Sequence, residues 1–398
     1  MGTTLIRGAQ IIDGRGGPPV TGHDLLIDGE RIAAIGARGT VPEGGATVVD
    51  ATGTTLLPGL INMHVHLRGS GRGQPAEPES WALLRAARNA WFALRWGVTT
   101  IRDAGAPHLL SQTMRDAIAS GLIPGPRVVS AGRIVTTSAG HGWAGGLRAD
   151  DAAEMRKAIR QSVEDGVDTI KIAATGGGGT PGSNVGAAQY SAEELTVAVT
   201  EAHRLGKRVL VHCNGTEGTK NAVVAGVDTI EHIGWMGANG GLDVDDAAIA
   251  GMIAKNITVV PTMSVWYRSS YDDIASLSSD QKKMRAVRPE RTAAWTAMYR
   301  RGVRFATGTD TWDPLQRELE LMISEMGLSP MEAILAGTRD SAIGLGLQDE
   351  IGTLEIGKHA DLLQVRGDPL SGIAALRAVE RVWRRGTLSV ERGQVVSE

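Results

Sequence analysis

The chain has 398 residues and a mass of 41.8 kDa, long enough for one large domain plus a small one, and with 42% hydrophobic against 21% charged residues it can bury a sizeable core. A formal net charge of −3 argues against a nucleic-acid binder, and the single cysteine, Cys213, excludes an intrachain disulfide or a zinc site built from cysteines. With no basic-then-apolar leader at Met1–Arg7 and no apolar run long enough to span a bilayer, a soluble cytoplasmic protein is expected.

Residues 1–57 read as short strands divided by turn signals. They are Thr3–Ile6, then Asp24–Ile27 and Arg31–Ile35 around the hairpin cue Asp28-Gly29, then Thr47–Val49 and Thr54–Leu57. Over 58–350 the pattern changes to apolar strands alternating with longer helical stretches. The strands are Leu60–His66, Thr99–Asp103, Arg127–Ala131, Thr169–Ala173, Arg208–His212, Thr229–Ile233, Ile257–Pro261 and Arg304–Thr309. Helical patterns fall at Ser80–Arg95, Asp151–Glu164, Ala192–Leu205, Asp245–Lys255 and Asp280–Arg301; Ser191 and Glu194 form a capping box for the third. Eight βα units predict an α/β chain folded as a (β/α)8 TIM barrel, with its active site where the strands end. Residues 351–398 return to strands at Asp361–Val365, Val379–Arg384 and Leu388–Glu391. Neither end has enough strands to stand alone, so the two are expected to pair as one small β-sandwich domain.

Glycine is in excess, 53 residues against a usual share of about 7%, with no collagen-like period. Thirteen of them lie in Gly69–Gly73, Gly140–Gly146 and Gly176–Gly186, after the first, third and fourth strands, which suggests backbone closely approaching a pocket.

Six polar residues fall at or near the C-terminal ends of five strands: His64, His66, Lys171, His212, His232 and Asp310. Residues two apart on a strand share a face, so both histidines of His64-Val65-His66 can face the barrel mouth. Lys171, in Thr169-Ile-Lys-Ile-Ala173, admits two readings. It is a lysine that snorkels or pairs with an acid, or an amine whose lowered pKa lets it add to carbon dioxide and form a metal-bridging carbamate. Asp310 could cap a helix before Asp313-Pro314, and His212 and His232 could be satisfied core histidines. Their convergence on one face favours a site.

Pro58-Gly-Leu-Ile-Asn-Met-His-Val-His-Leu67, Thr169-Ile-Lys-Ile172, Val211-His-Cys-Asn-Gly215, Glu231-His232, Gly308-Thr-Asp310 and the closing Ile351-Gly-Thr-Leu-Glu-Ile-Gly-Lys-His-Ala-Asp-Leu362 resemble the amidohydrolase superfamily, in its binuclear carboxylated-lysine subtype. Gln189-Tyr-Ser191 and Gly226-Val-Asp-Thr-Ile-Glu-His232 are most similar to its imidazolonepropionase-related, prolidase-like branch. The resemblance implies that His64, His66 and Asp310 hold one divalent metal ion and that His212 and His232 hold another. N6-carboxylysine at Lys171 would bridge both together with a hydroxide, and zinc suits these ligands. It further implies Asp310 as general base, taking a proton from the bridging water and passing it to the leaving amine. Asn62 stands where many members carry Asp, and Thr311-Trp312 follows Asp310 where the branch more often has small residues, so a reshaped pocket is expected.

For substrate contacts, His141 in Ala139-Gly-His-Gly-Trp143 is placed to donate to a carbonyl or oxyanion, as the branch also implies. Tyr190 is either a substrate contact or a staple for the helix entry. Arg68 and Arg72 could meet a substrate carboxylate, and Trp143, Trp235, Trp266 and Trp312 could give the mouth an apolar lining. The expected function is hydrolysis of an amide C–N bond in a small molecule such as a dipeptide or N-acyl amino acid, by a homo-oligomeric enzyme. Hydrolysis of a cyclic amide, carbamate or lactone is an alternative on the same fold. A single-metal deaminase would want an acid close after His212, where Glu217 is five residues on; a non-catalytic scaffold would be free to lose ligands that are all present here.

Overall fold

Alternating apolar residues build the first strands of the computed structural model, which describes residues 2–69, 78–267, 282 and 285–396. These are β1 (Thr3–Ile11), β2 (Val20–Asp28), β3 (Arg31–Ala37), β4 (Thr47–Asp50) and β5 (Thr54–Pro58). Asp28 pairs with Arg31, so Gly29-Glu30 forms a two-residue hairpin turn, with Gly29 at φ +55°. The far end of the chain supplies β16 (Leu362–Arg366), β17 (Val379–Arg384), β18 (Thr387–Glu391) and β19 (Gln394–Val395). Both ends join through β5 and β16, which run antiparallel with Leu362 opposite Pro58 and Gln364 opposite Leu56. Hydrogen bonds link all nine strands into one sheet, whose Ile6, Leu25, Ile27, Leu56, Leu362 and Trp383 share a core separate from the main one.

Between the ends lie β6 (Leu60–Val65), β7 (Val98–Asp103), β8 (Arg127–Ser130), β9 (Val135–Thr136), β10 (Leu147–Arg148), β11 (Thr169–Ala173), β12 (Arg208–Gly215), β13 (Thr229–Met236), β14 (Thr258–Val260) and β15 (Arg304–Phe305). They form two parallel ladders, β6-β7-β8 and β10-β9-β11-β12-β13-β14-β15. Backbone hydrogen bonds bridge both gaps. Met63 N donates to Thr307 O and Asp310 N to His64 O, each at 2.8 Å, on one side; Asp168 N donates to Ser130 O at 2.8 Å on the other. The eight expected strands thus follow one another round a TIM barrel. Strands β9 and β10 are additions inside the loop after the third barrel strand.

The helices are α1 (Glu79–Arg95), α2 (Leu110–Ala119), α3 (Ala152–Glu164), α4 (Ala192–Arg204), α5 (Thr216–Ala225), α6 (Asp246–Ala254), α7 (Met263–Trp266), α8 (Arg288–Arg300), α9 (Gln316–Ser324), α10 (Pro330–Leu335) and α11 (Ser341–Leu345). Helix α1 buries Ala82, Ala86, Asn89, Ala90 and Leu94, a stripe of helical period, and α4 carries the expected capping box of Ser191 and Glu194. The first residues of the helix expected at Asp280–Arg301 lie outside the described residues, as does Arg72. Among the described residues no helix is long and apolar enough to cross a membrane.

Candidate metal centre

His64 is the penultimate residue of β6 and His66 lies one residue past its end, and both meet Asp310 across the barrel seam. One ligand atom from each lies within 4.8 Å of the others, with Asp310 Oδ1 at 3.8 Å from His64 Nε2 and 3.6 Å from His66 Nε2. The rings of His64 and His232 have centroids 4.8 Å apart, and those of His232 and His212 4.6 Å apart, so four histidines converge on one space. Close approach of backbone makes this convergence possible. A Cβ on Gly308 would sit 2.7 Å from His64 Cβ, and Asp310 and His232 themselves adopt left-handed φ of +49° and +70°.

The other nitrogen of each ring is committed, which decides the atom left for a metal. His64 Nδ1 donates to Glu231 Oε2 at 2.6 Å, His66 Nδ1 to Gly105 O at 2.7 Å, and His232 Nδ1 to Thr262 Oγ1 at 2.7 Å. Their Nε2 atoms are therefore the ligand candidates. In His212 it is Nε2 that faces Gly176 O at 3.1 Å, leaving Nδ1. Burial holds the pKa of His64, His212 and His232 well below the ordinary value, which keeps the imidazoles neutral, the form that ligates metals. Lys171, 2% exposed, has no hydrogen-bond partner for Nζ among the described residues, and burial lowers its amine to about 8. An unpartnered buried amine with so low a pKa suits a group made to react or be modified, and this donor set fits a pair of divalent ions.

His141 reaches the same space from the loop after the third barrel strand. Its backbone N donates to Gln189 Oε1 at 2.6 Å, its Nδ1 lies 3.0 Å from Thr180 Oγ1, and its ring stands 4.2 Å from that of His212. Gly177 lies directly against it, since a Cβ there would come within 2.5 Å of the ring.

The amidohydrolase family pattern matches residues 55–389. The chain belongs to the amidohydrolase family. Ochratoxinase of Aspergillus niger is 30% identical over 428 residues, spanning 97% of this chain and 86% of that protein. A solved Xaa-Pro dipeptidase with bound methionine in the active site superposes with a TM-score of 0.89 at 30% identity, covering 97% of this chain and 99% of that one. A prolidase complexed with N-methylphosphonate-L-proline gives 0.86 at 28% identity, covering 98% and 100%. This amidohydrolase is thus a hydrolase acting on carbon–nitrogen bonds, in a family that generally binds divalent metals.

Several expected contacts fall elsewhere. Tyr190 is buried in the main core, its hydroxyl donating to Ala149 O at 2.9 Å, so it braces the loop before α3. Trp235 and Trp266 are core residues too, donating from Nε1 to Met298 Sδ and Pro261 O. Glu217 is exposed on α5 and paired with Lys220 at 3.0 Å, away from the acid position a deaminase would need. Trp312 is half-buried against the main core, while Trp143 and Arg68 border a cavity next to His66 and His141. Asn62 clamps the seam, its Oδ1 accepting from His64 N and Thr309 N, each at 3.2 Å, and its Nδ2 donating to Thr309 Oγ1 at 3.0 Å.

Sequence reasoning missed the supports behind the ligands. Arg102 donates to Glu231 Oε1 at 2.6 Å and to Met63 O at 2.8 Å, and Thr229 donates to the same carboxylate at 2.8 Å. Arg102 carried the same signal as Lys171, a charge inside an apolar strand.

Proposed function

We propose that the chain is a metal-dependent amide hydrolase acting on a dipeptide or an N-acyl amino acid. In this reading His64, His66 and Asp310 hold one divalent ion, zinc by ligand type, His212 and His232 hold a second, and Lys171 carboxylated on Nζ joins them. The observation that carries it is the convergence of oriented imidazoles and Asp310 on one barrel mouth beside the Lys171 amine, which has no hydrogen-bond partner among the described residues. The Xaa-Pro dipeptidase and prolidase neighbours support the choice of a linear amide.

Ions held there would supply an acidified water and polarise the scissile carbonyl. The chain's own groups do the rest. Asp310 is within reach of both His64 and His66, yet its side chain is 19% exposed, so it can take a proton from the attacking water and return it to the leaving nitrogen. His141, held by Thr180 at Nδ1 and stacked close to His212, is placed to donate from its imidazole to the carbonyl oxygen. Asn62 keeps His64 and the Asp310 turn in register throughout. We further propose a homo-oligomer, because Trp81 and Leu84 stand 64% and 69% exposed about one turn apart on α1 and association would cover them. Light scattering at micromolar concentration is expected to give a multiple of 41.8 kDa, and a monomer mass would contradict it.

The functional test is a screen of zinc-loaded enzyme against dipeptides, N-acyl amino acids, cyclic amides, carbamates and lactones. Linear amides are expected to be cleaved, with kcat/KM lowered by about 100-fold or more in Asp310→Asn and in Lys171→Ala. Full activity in Lys171→Ala, with one tightly held ion per chain, would overturn the two-ion assignment.

A further inference from the structure

A cavity of about 320 Å³ opens beside His66 and His141, at the low end of the range for small-molecule sites, roughly 300–1,000 Å³. Its lining sets the two histidines and Arg68 beside the apolar Pro107, Ile134, Trp143 and Pro181. Among the described residues no carboxylate borders it. The hydroxyl of Thr180, one of the few polar groups in its wall, already accepts from Gly142 N at 3.0 Å and faces His141 Nδ1 at the same distance. Arg68 is on the same lining, so a cationic substituent entering this space would lose its water without gaining an opposite charge, whereas an apolar one gains by leaving water.

Two side chains give the cavity its shape. Ile134 is wedged between glycines: a Cβ on Gly105 would lie 2.6 Å from Ile134 Cγ1, and one on Gly142 3.2 Å from its Cδ1. That leaves Ile134 little room to move, so its far end is a fixed floor. Trp143, 40% exposed, forms a wall and is backed by the Arg148 guanidinium, 5.2 Å from the ring centroid. A large apolar ring left facing solvent next to a reactive centre is a surface that an occupant would cover.

We propose that this cavity receives one arm of the substrate, and that this arm is apolar and carries no positive charge, aromatic or branched aliphatic, with Ile134 setting the largest size accepted. The proposal rests on the amide-hydrolase reading for its scissile bond but not for its occupant. It excludes amides whose two arms are both small or both cationic as preferred substrates.

Two matched series test it. One varies the acyl arm on glycine through acetyl, benzoyl and naphthoyl; the other varies the amino acid on an acetyl group through glycine, leucine, phenylalanine and lysine. In one series kcat/KM is expected to rise by roughly ten-fold or more from the smallest to the largest apolar arm. Ile134→Trp should abolish that rise and leave the trend of the other series as it was, while Ile134→Ala should extend it to larger arms. A flat response to size in both series, a preference for lysine, or an equal effect of the Ile134 variants on both series would overturn the proposal. Should the enzyme cleave no amide, the amide-hydrolase reading falls, and the cavity is judged by 2-naphthol, an uncharged aryl probe without a scissile bond, followed by its own fluorescence. Saturable binding weakened about ten-fold or more by Ile134→Trp supports the proposal. Binding that is absent in the unmodified enzyme, or equal in the variant, overturns it.

Discussion

Glu231 gathers three donors beneath the barrel mouth, Arg102, Thr229 and His64, and is itself fully buried. Arg102 is its cation, and burial lowers the Arg102 pKa, the mark of a charge kept inside only because of its partner. Arg102→Ala is expected to lower stability by about 3–5 kcal/mol in urea unfolding, because it leaves an uncompensated carboxylate in the core; a loss below about 1 kcal/mol would mean the pair is solvated. Gly177 gives the complementary test on the other side of the site. Gly177→Ala must push the His141 ring away, so kcat/KM is expected to fall by about 10- to 100-fold with the unfolding midpoint little changed. Unaltered kinetics would remove His141 from the reaction. At this scale His64, His66, His212, His232 and Asp310 were legible because each sits at a strand end and all share one face. Glu231 as a support, Arg102 and Thr262 were not, because what defines them is a partner 30 or more positions away, and pairing across a barrel leaves no local pattern.

Helix α7 begins straight after Thr262, whose φ of +51° and hydroxyl together aim His232. Glu318 of α9 anchors that turn, accepting from Met263 N, Ser264 N and Ser264 Oγ, each at 2.7 Å. Burial nevertheless pushes its carboxyl up to about 7 from an ordinary 4.5. Between those values the native state holds a proton that the unfolded chain has released, so stability is greatest at the acidic end and declines as pH rises through 7. Glu318→Gln cannot titrate, and the fall in unfolding midpoint between about pH 5 and 7.5 is expected to flatten; an unchanged slope would show that other groups cause it. Most barrel strands lie within one to three residues of where alternation placed them, because an apolar run bounded by Gly or Asp is a strong local signal. Strands β9 and β10, each of two residues, are too short to have a period. Similarly, β15 stops at Phe305, short of the expected Thr309, because the chain leaves the ladder to bring Gly308 against His64.

The whole molecule depends on its two ends meeting. β5 leads directly into β6, the strand that carries His64, and among the described residues its antiparallel partner is β16, some 300 residues later. A chain ending at residue 350 would lose β16 to β19, leaving Leu56 and Leu57 uncovered, and is expected to be insoluble or to unfold without cooperativity. A soluble 1–350 fragment with a single sharp transition would show that the barrel does not need the terminal sheet. That the ends pair was legible from their shared strand character, but the nine-strand order was not, since long-range register is set by which faces can be buried together. The glycine excess also resolves at this scale into a contact map: Gly105, Gly177 and Gly308 each lie where backbone runs against Ile134, His141 or His64. The central claim is that the barrel mouth is a two-ion amide-hydrolase centre. Its most direct test is a titration of chelator-stripped enzyme with zinc, followed by release of the amine from a linear amide substrate. Activity absent without metal and rising to a plateau at two equivalents per chain is the predicted result; activity that survives stripping, or is complete at one equivalent, would contradict it.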